Sequence, residues 1–365
     1  MNLSFFASRT VTIYMARKFL VTSMAVLFAL VLVLMALDLL GESGNILAHP
    51  GNGNAELLRY IGLRAPQIVQ RFLPFAVLLG TLVTLATMNQ NSEIIAMKAA
   101  GISAHQILAP LVLASLFIAA ISFAFNDRIV ARSTAALDAW QAADYGPVPP
   151  TSGIASNVWV RDGDDLIHVD TVAGRGPATR LGGVTIYDRS GGTLNTVVDA
   201  QRGQASGDGW QLDGAVRRFD VARGTVTRPA SLVVARGVTA DRFTLATVDA
   251  EQRSFLSLSG AIDDLRAAGR PTGALEAGLW HKLSGPLSAM LMPLLAGVAA
   301  FGLARSGQLF IRAVIGMALG FAYFVVDNFA LAMGNLGAYP PLLAAWAPFA
   351  LFLLIGEAVL IRTEE

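Results

Sequence analysis

Residues 19–40 read FLVTSMAVLFALVLVLMALDLL, and Asp38 is the only charge among them. At a rise of 1.5 Å per residue, about 20 apolar residues cross a hydrocarbon core ~30 Å thick. The stretch is therefore a bilayer span. The apolar run after Arg17-Lys18 is too long for the h-region of a signal peptide, and no convincing small-x-small cleavage site follows, so it reads as a retained first helix.

Five more stretches have this character. Phe72–Met88 is uncharged and is long enough when begun at Pro66. Ala104–Phe125 carries only His105, Leu283–Ala304 nothing, Ala313–Met333 only Asp327 and Pro341–Ile361 only Glu357. Composition agrees: 54% of the 365 residues are hydrophobic and 15% charged, against about 25% charged in soluble domains. Mean hydropathy is +0.55. A formal net charge of +1 offers nothing to nucleic acid, and the absence of cysteine excludes disulfides, thiolate metal sites and a Cys nucleophile.

The charges concentrate in one block. Residues 126–282 hold 17 Lys+Arg and 18 Asp+Glu, more than half of the 27 and 26 in the chain. There the periodicity changes. Val158–Val160, the turn Arg161–Asp165 and Leu166–Val169 read as a hairpin. Gly182-Gly183 leads into Val184–Tyr187, and Ser190-Gly191-Gly192 into Leu194–Val198. Trp210–Leu212, Val216–Phe219, Thr225–Thr227, Leu232–Val234 and Phe243–Thr247 continue at a spacing that suits a sandwich or jellyroll. Residues 126–142 extend the third span as a helix. Ser259–Gly269 reads helical, with Ser257 or Ser259 as cap and Asp263/Asp264 in the first turns. The expected division is 1–142, three spans; 143–256, the β-domain; and 257–365, three more spans.

Orientation follows basic residues near the span ends. With the N-terminus inside, Arg9, Arg17, Lys18, Lys98, Arg305, Arg312 and Arg362 lie inside, against Arg59, Arg64 and Arg71 in the short outer loops. Both termini are then cytoplasmic and the polar block faces the periplasm.

Catalytic signatures are missing. None of the three lysines, Lys18, Lys98 and Lys282, follows a glycine, so no phosphate-binding Gly-Lys-[Ser/Thr] loop exists and the chain is not itself an ATPase. The four histidines are dispersed, which disfavours zinc, and no Gly-x-Ser-x-Gly elbow occurs. Asp162, Asp164 and Asp165 read as a solvated hairpin tip. Asp327 falls about 6 Å from the midplane of its span. A functional carboxylate there is the sharp alternative. With no second charge at similar depth, the favoured expectation is an Asp327/Asn328 pair bonding a neighbouring helix.

Asn89–Ser103 is the most informative loop. Ser92 can cap a short helix that opens with Glu93, whose charge suits the N-terminal dipole. Ile94, Met97 and Ala100 or Gly101 share a stripe, and Gly101 is placed to end the helix. Such a helix either rests at the lipid interface or seats in the cleft of a separate nucleotide-binding subunit.

With these elements in order, the chain resembles the lipopolysaccharide-export permeases of the LptF/LptG type, the LptG side more closely. The resemblance rests on Asn91–Gly101, Val158–Gly163, Leu181–Tyr187, Trp280–Lys282 with Pro286-Leu287, Tyr339–Pro341, and Phe72–Pro74 with Leu78–Gly80. It implies a six-helix (3+3) polytopic membrane protein with an inserted periplasmic all-β jellyroll. It also implies a heterodimer with an LptF permease, an LptB ATPase dimer that binds the ATP and Mg this chain does not, an LptC partner, and lipopolysaccharide as cargo. Glu93, Ile94, Met97, Ala100 and Gly101 would meet the ATPase. Arg59, Arg64, Arg71, Arg128 and Arg132 are candidates for lipid phosphates, with snorkelling as the plain alternative. Phe72 and Phe75, and Trp159, Ile167 and Val169 in the β-domain, are candidates for acyl chains. One departure stands out: where the family often carries lysines at the outer end of the first span, residues 35–42 read MALDLLGE. The remaining alternatives are an ion-coupled transporter resting on Asp327 and a membrane-tethered envelope assembly protein.

Overall fold

The computed structural model describes residues 8–147, 155–174, 178–189, 192–206, 209–235, 238, 243, 248–267, 270–301 and 309–364. In chain order these form α1 (Arg9–Ala48), α2 (Asn54–Gln90), α3 (Glu93–Ala99), α4 (Ala104–Phe125), a π-turn (Asn126–Val130) and α5 (Ala131–Ala142). Eight strands follow: β1 (Ala155–Asp162), β2 (Asp165–Ala173), β3 (Arg180–Asp188), β4 (Thr196–Ser206), β5 (Gly209–Asp213), β6 (Arg217–Asp220), β7 (Thr225–Thr227) and β8 (Ser231–Val234). The chain ends with α6 (Phe255–Ala267), α7 (Gly273–Phe301), α8 (Leu309–Asn335) and α9 (Pro341–Glu364). It divides into a helical unit of residues 1–147, 250–258 and 273–365 and a second unit of residues 148–249 and 259–272.

In the helical unit five helices among the described residues are long and apolar enough to cross a membrane: α1, α2, α4 continuing through α5, α8 and α9. The fourth expected span falls in α7, 29 residues long, and its last residues, 302–304, lie outside the described residues with Arg305. The core gathers Met15 and Phe19 of α1, Val77, Leu78 and Leu85 of α2, Ile107 and Leu111 of α4, Leu291 and Leu295 of α7, and Phe352 of α9. Gly80 lets α1 and α2 touch, because a Cβ there would lie 2.6 Å from the Ser23 Cα. Beyond α4 the helix continues through the π-turn, as expected for residues 126–142.

The second unit contains most of α6 and one antiparallel sheet in the order β1-β2-β3-β4-β5-β8, with the β6–β7 hairpin attached to β4. The Asp162↔Asp165 pairing leaves Gly163-Asp164 as a two-residue loop, with φ +60 at Gly163, the position a II′ turn gives to glycine. Alternation of buried and exposed residues breaks at one level across three strands. Asp170-Thr171 separates buried Val169 and Val172, Gly182-Gly183 separates Leu181 and Val184, and Gln201-Arg202 follows Ala200. A one-residue change of phase sends every later side chain to the opposite face. Because the strands change together, both halves of the sheet keep their apolar residues in one core: Val158, Val169, Val184, Val198, Leu181, Leu212, Trp210 and Phe243. Gly183 permits the crease. Its φ is +63, and a Cβ would overlap the Asp170 carboxylate.

Several boundaries differ from expectation. β4 begins at Thr196 and β6 at Arg217, since Val216 is buried in the core just ahead of its strand. α6 begins at Phe255, so Ser257 and Ser259 lie inside it. The cap is Ser254, whose Oγ accepts the Ser257 N–H at 3.3 Å, while the Phe255 N–H bonds Asp127 Oδ1. Of the expected strand at 243–247 only Phe243 is described, and Ser190-Gly191 and Gly269 also lie outside the described residues.

Candidate functional site: a fastened lever, an arginine knot and two sheet faces

The α2–α4 connection is built by backbone geometry. Ser92 does not cap α3 with its side chain. It sits at φ 60, ψ 12, a left-handed break that turns the chain from α2 into α3. At the other end Gly101 (φ +81) closes a Schellman motif: its N–H bonds the Lys98 carbonyl at 3.0 Å, and the Ile102 N–H bonds the Met97 carbonyl at 3.1 Å. Met97 and Ile102 then pack together against the bundle core.

The stripe read from the sequence faces inward. Ile94 is 7% exposed and belongs to the chain's own core, and Met97 is half-buried against it. Ile94 thus lies on the face turned to the bundle and not on the bare one. The bare face carries Ile95, 61% exposed, with Ala96, Ala99, Ala100 and Gly101 also exposed. Glu93 is fastened too. Its Oε1 lies 3.2 Å from Lys18 Nζ, its Oε2 accepts the Tyr14 hydroxyl at 3.1 Å, and Asn91 Nδ2 donates to Oε1 at 3.3 Å. Desolvation opposes ionisation of this carboxyl, but the bonds from Lys18, Asn91 and Tyr14 together outweigh it and hold its pKa below the ordinary value. Tyr14 and Lys18 were not among the expected site residues. No local pattern connects positions more than 70 residues apart.

At the α1–α2 end the five candidate arginines differ. Arg64 is engaged: its Nε and NH2 group reach Asp38 at 3.0–3.3 Å and its NH1 group donates to Gln67 at 2.7 Å, while the Tyr60 hydroxyl donates to Asp38 at 2.6 Å. Much of its charge is therefore compensated inside the chain. Arg59 lies 4.4 Å above the buried Trp140 ring, which leaves the N–H edges of the guanidinium open. Arg71, Arg128 and Arg132 are exposed, Arg128 within the π-turn. Phe72 and Phe75 come together with Phe324 of α8, the last two rings 5.2 Å apart and edge to face.

In the sheet the expected acyl-chain set divides. Ile167 and Val169 are 2% and 0% exposed, inside the core. Trp159 is 51% exposed on the other face, with the His168 ring tilted against it at 4.5 Å and the Tyr187 ring stacked at 6.0 Å. Period-2 alternation dictates this, since Trp159 pairs with His168, between Ile167 and Val169. The three cannot line one groove. The Asp162–Asp165 tip carries bonds such as Arg189 N–H to Asp165 Oδ1 at 2.8 Å. Among the described residues no group of His, Asp or Glu could hold a metal ion.

Asp327 is not alone. It is 8% exposed, and its Oδ2 lies 3.0 Å from His281 Nε2 of α7, so the expectation that no ionisable partner faces it is corrected. Asn328 instead bonds its own helix, donating to the Phe324 carbonyl at 2.8 Å.

The sequence matches the family model for the lipopolysaccharide export system permease LptF/LptG over residues 13–362. It is 25% identical to the lipopolysaccharide export system permease protein LptG of Escherichia coli K12 over 361 residues, 96% of this chain and 97% of that protein. The Haemophilus influenzae protein of the same name is 25% identical over 354 residues, 93% of this chain and 96% of that one. With membrane-length helices, an inserted antiparallel sheet and a match that runs nearly end to end, the chain belongs to the LptF/LptG family of lipopolysaccharide export system permeases.

Proposed function

We propose that the chain is the LptG-type, non-catalytic half of a lipopolysaccharide-exporting ABC transporter in the bacterial inner membrane. It would cross six times with both termini in the cytoplasm, pair with an LptF permease, and pass lipid through a periplasmic jellyroll toward the bridge to the outer membrane, with LptC as a further partner. ATP hydrolysis belongs to a separate LptB dimer. The observation that carries this is the two-sided build of α3. Ile94, Met97 and Glu93 fix one face to the bundle, and Ile95, Ala99 and Ala100 leave the other bare. A helix fastened on one face can transmit force received on the other. Extracting acyl chains exposes apolar surface at ~25 cal/mol per Å², which requires an external energy source.

Arg59, Arg71, Arg128 and Arg132 are the phosphate candidates whose charge no carboxylate among the described residues holds. The relatives carry the name LptG, which favours that side over an LptF-type paralogue. The test is reconstitution with the ATPase. Ile95→Asp on the bare face should abolish assembly with the nucleotide-binding dimer and ATP-dependent lipid release; unchanged release would refute the lever. Ion coupling is the second reading and draws support from the His281–Asp327 pair. It requires Asp327→Asn to abolish transport, whereas the favoured reading allows only a loss of stability.

A further inference from the structure

The bundle contains a polar seam that neither the lever nor the arginines use. His281, Ser284 and Ser288 recur at helical spacing on one face of α7, and Tyr323 and Asp327 on one face of α8. His281 and Asp327 join the helices, and Tyr323 lies within electrostatic reach of both Asp327 and Ser288. The seam is deeply buried: Ser284 is 0% exposed, Ser288 3%, Tyr323 3% and Asp327 8%.

Among the described residues three of its polar atoms make no hydrogen bond of good geometry: Ser284 Oγ, Asp327 Oδ1 and the Tyr323 hydroxyl, the last although it lies close to Ser288 and Asp327. Ser288 is satisfied within α7, donating to the Gly285 carbonyl at 2.6 Å. Pro286 removes one intrahelical N–H from α7 between Ser284 and Ser288. A buried polar group without a partner is destabilising, and a charged one more so. Three such groups in one seam would weigh heavily on a marginally stable fold. Something must bond them.

We propose that the seam binds water, at least one molecule bridging Asp327 Oδ1 to the Tyr323 and Ser284 hydroxyls. The mix of groups selects the ligand. A hydroxyl both donates and accepts, and a carboxylate oxygen only accepts. Asp327 already holds His281 with its other oxygen. A molecule with two donors and two acceptors matches that set, whereas a metal cation would use only the acceptors. Buried water characteristically makes two to four such bonds at polar sites of this kind. The wetted joint lets α7 and α8 exchange partners beside the Pro286 break without stranding a polar group. The inference holds whatever the chain transports.

The experiment is hydroxyl-radical footprinting of the full chain in lipid nanodiscs in 18O-labelled water, read by mass spectrometry. Bound water adjacent to a ring delivers the label despite burial. Tyr323 should therefore be oxidised with 18O at a rate comparable to Tyr339, which is 45% exposed, while Phe19 at 0% stays silent. Asp327→Leu should suppress Tyr323 labelling about tenfold by removing the central acceptor. If that variant does not fold, Asp327→Asn should retain the label, since an amide still bonds water. A Tyr323 as silent as Phe19 in the wild-type chain overturns the proposal. So does a rise in Tm when sodium replaces choline that Asp327→Asn abolishes, because a cation would then occupy the seam.

Discussion

The bond between Lys18 and Glu93 is where force on α3 would enter α1, and its strength can be bounded. Two unit charges 3.2 Å apart attract by about 5 kcal/mol at an effective dielectric constant near 20. The side chains are 23% and 28% exposed, so desolvation, screening and the ordering of two long side chains remove most of this. About 1 kcal/mol of coupling remains, roughly fivefold in an equilibrium constant. The assay is lipid released per ATP hydrolysed by the reconstituted complex. Lys18→Gln and Glu93→Gln should each lower that ratio about fivefold or, for Glu93→Gln, somewhat more, and the double variant should be no worse than Glu93→Gln alone, because both remove the Lys18–Glu93 bond. Exchanging the charges, Lys18→Glu with Glu93→Lys, should restore part of the loss. If the double variant instead shows the product of the two single losses, the residues act independently and α3 does not transmit through α1.

Three further outcomes follow from the geometry. Glu93 has its pKa lowered in the folded state, so its contribution to stability is present above the ordinary value of 4.5 and lost as pH falls below it. The Tm difference between wild type and Glu93→Gln should thus hold steady from neutral pH to about pH 5 and collapse in more acid solution. Gly183→Ala forces a side chain into φ +63 and into the Asp170 carboxylate, and should cost the sheet unit about 2–3 kcal/mol, with limited proteolysis of the full chain reporting faster cleavage. Val169→Ala should destabilise that unit by about 2 kcal/mol and Trp159→Ala by less than about 1, measured in the same way, because only Val169 lies in the core.

The sequence disclosed what depends on local chemistry. Uninterrupted apolar runs mark spans because nothing else satisfies that many apolar residues in a row. Gly101 and Gly163 mark their turns because both hold positive φ. The sidedness of α3 was illegible. A stripe at Ile94 and Met97 has the same period whether it faces a partner or the chain's own core, and only the packing of the bundle core around it decides. The split of Trp159 from Ile167 and Val169 was available in principle from strict alternation, whereas the crease at Gly183 was not, since the phase change depends on three strands yielding at one level. The His281–Asp327 pair was hidden by distance, being 46 residues apart on different helices.

The helix that holds Glu93 through Lys18 also holds the arginine knot. Lys18 and Asp38 both project from α1, and the 20 helical steps from one to the other cover about 30 Å. Proline breaks the ladder in α2, α4, α7 and α9, but α1 has none. A helix without such a break bends gently rather than kinking, so displacement at one end reaches the other. Across its most apolar stretch only 11% of the residues of α1 are buried, so most of that stretch is uncovered within the chain, and α1 is held chiefly along one side by α2. Its fixed points are the Glu93 carboxylate at one end, the Tyr60 hydroxyl and Arg64 guanidinium at the other, and the Ser23–Gly80 crossing between. A rod held at a close crossing pivots there. If α3 transmits force as proposed, motion at Glu93 would shift Asp38 and change its hold on Arg64, so the residue that neutralises this arginine would be the one displaced.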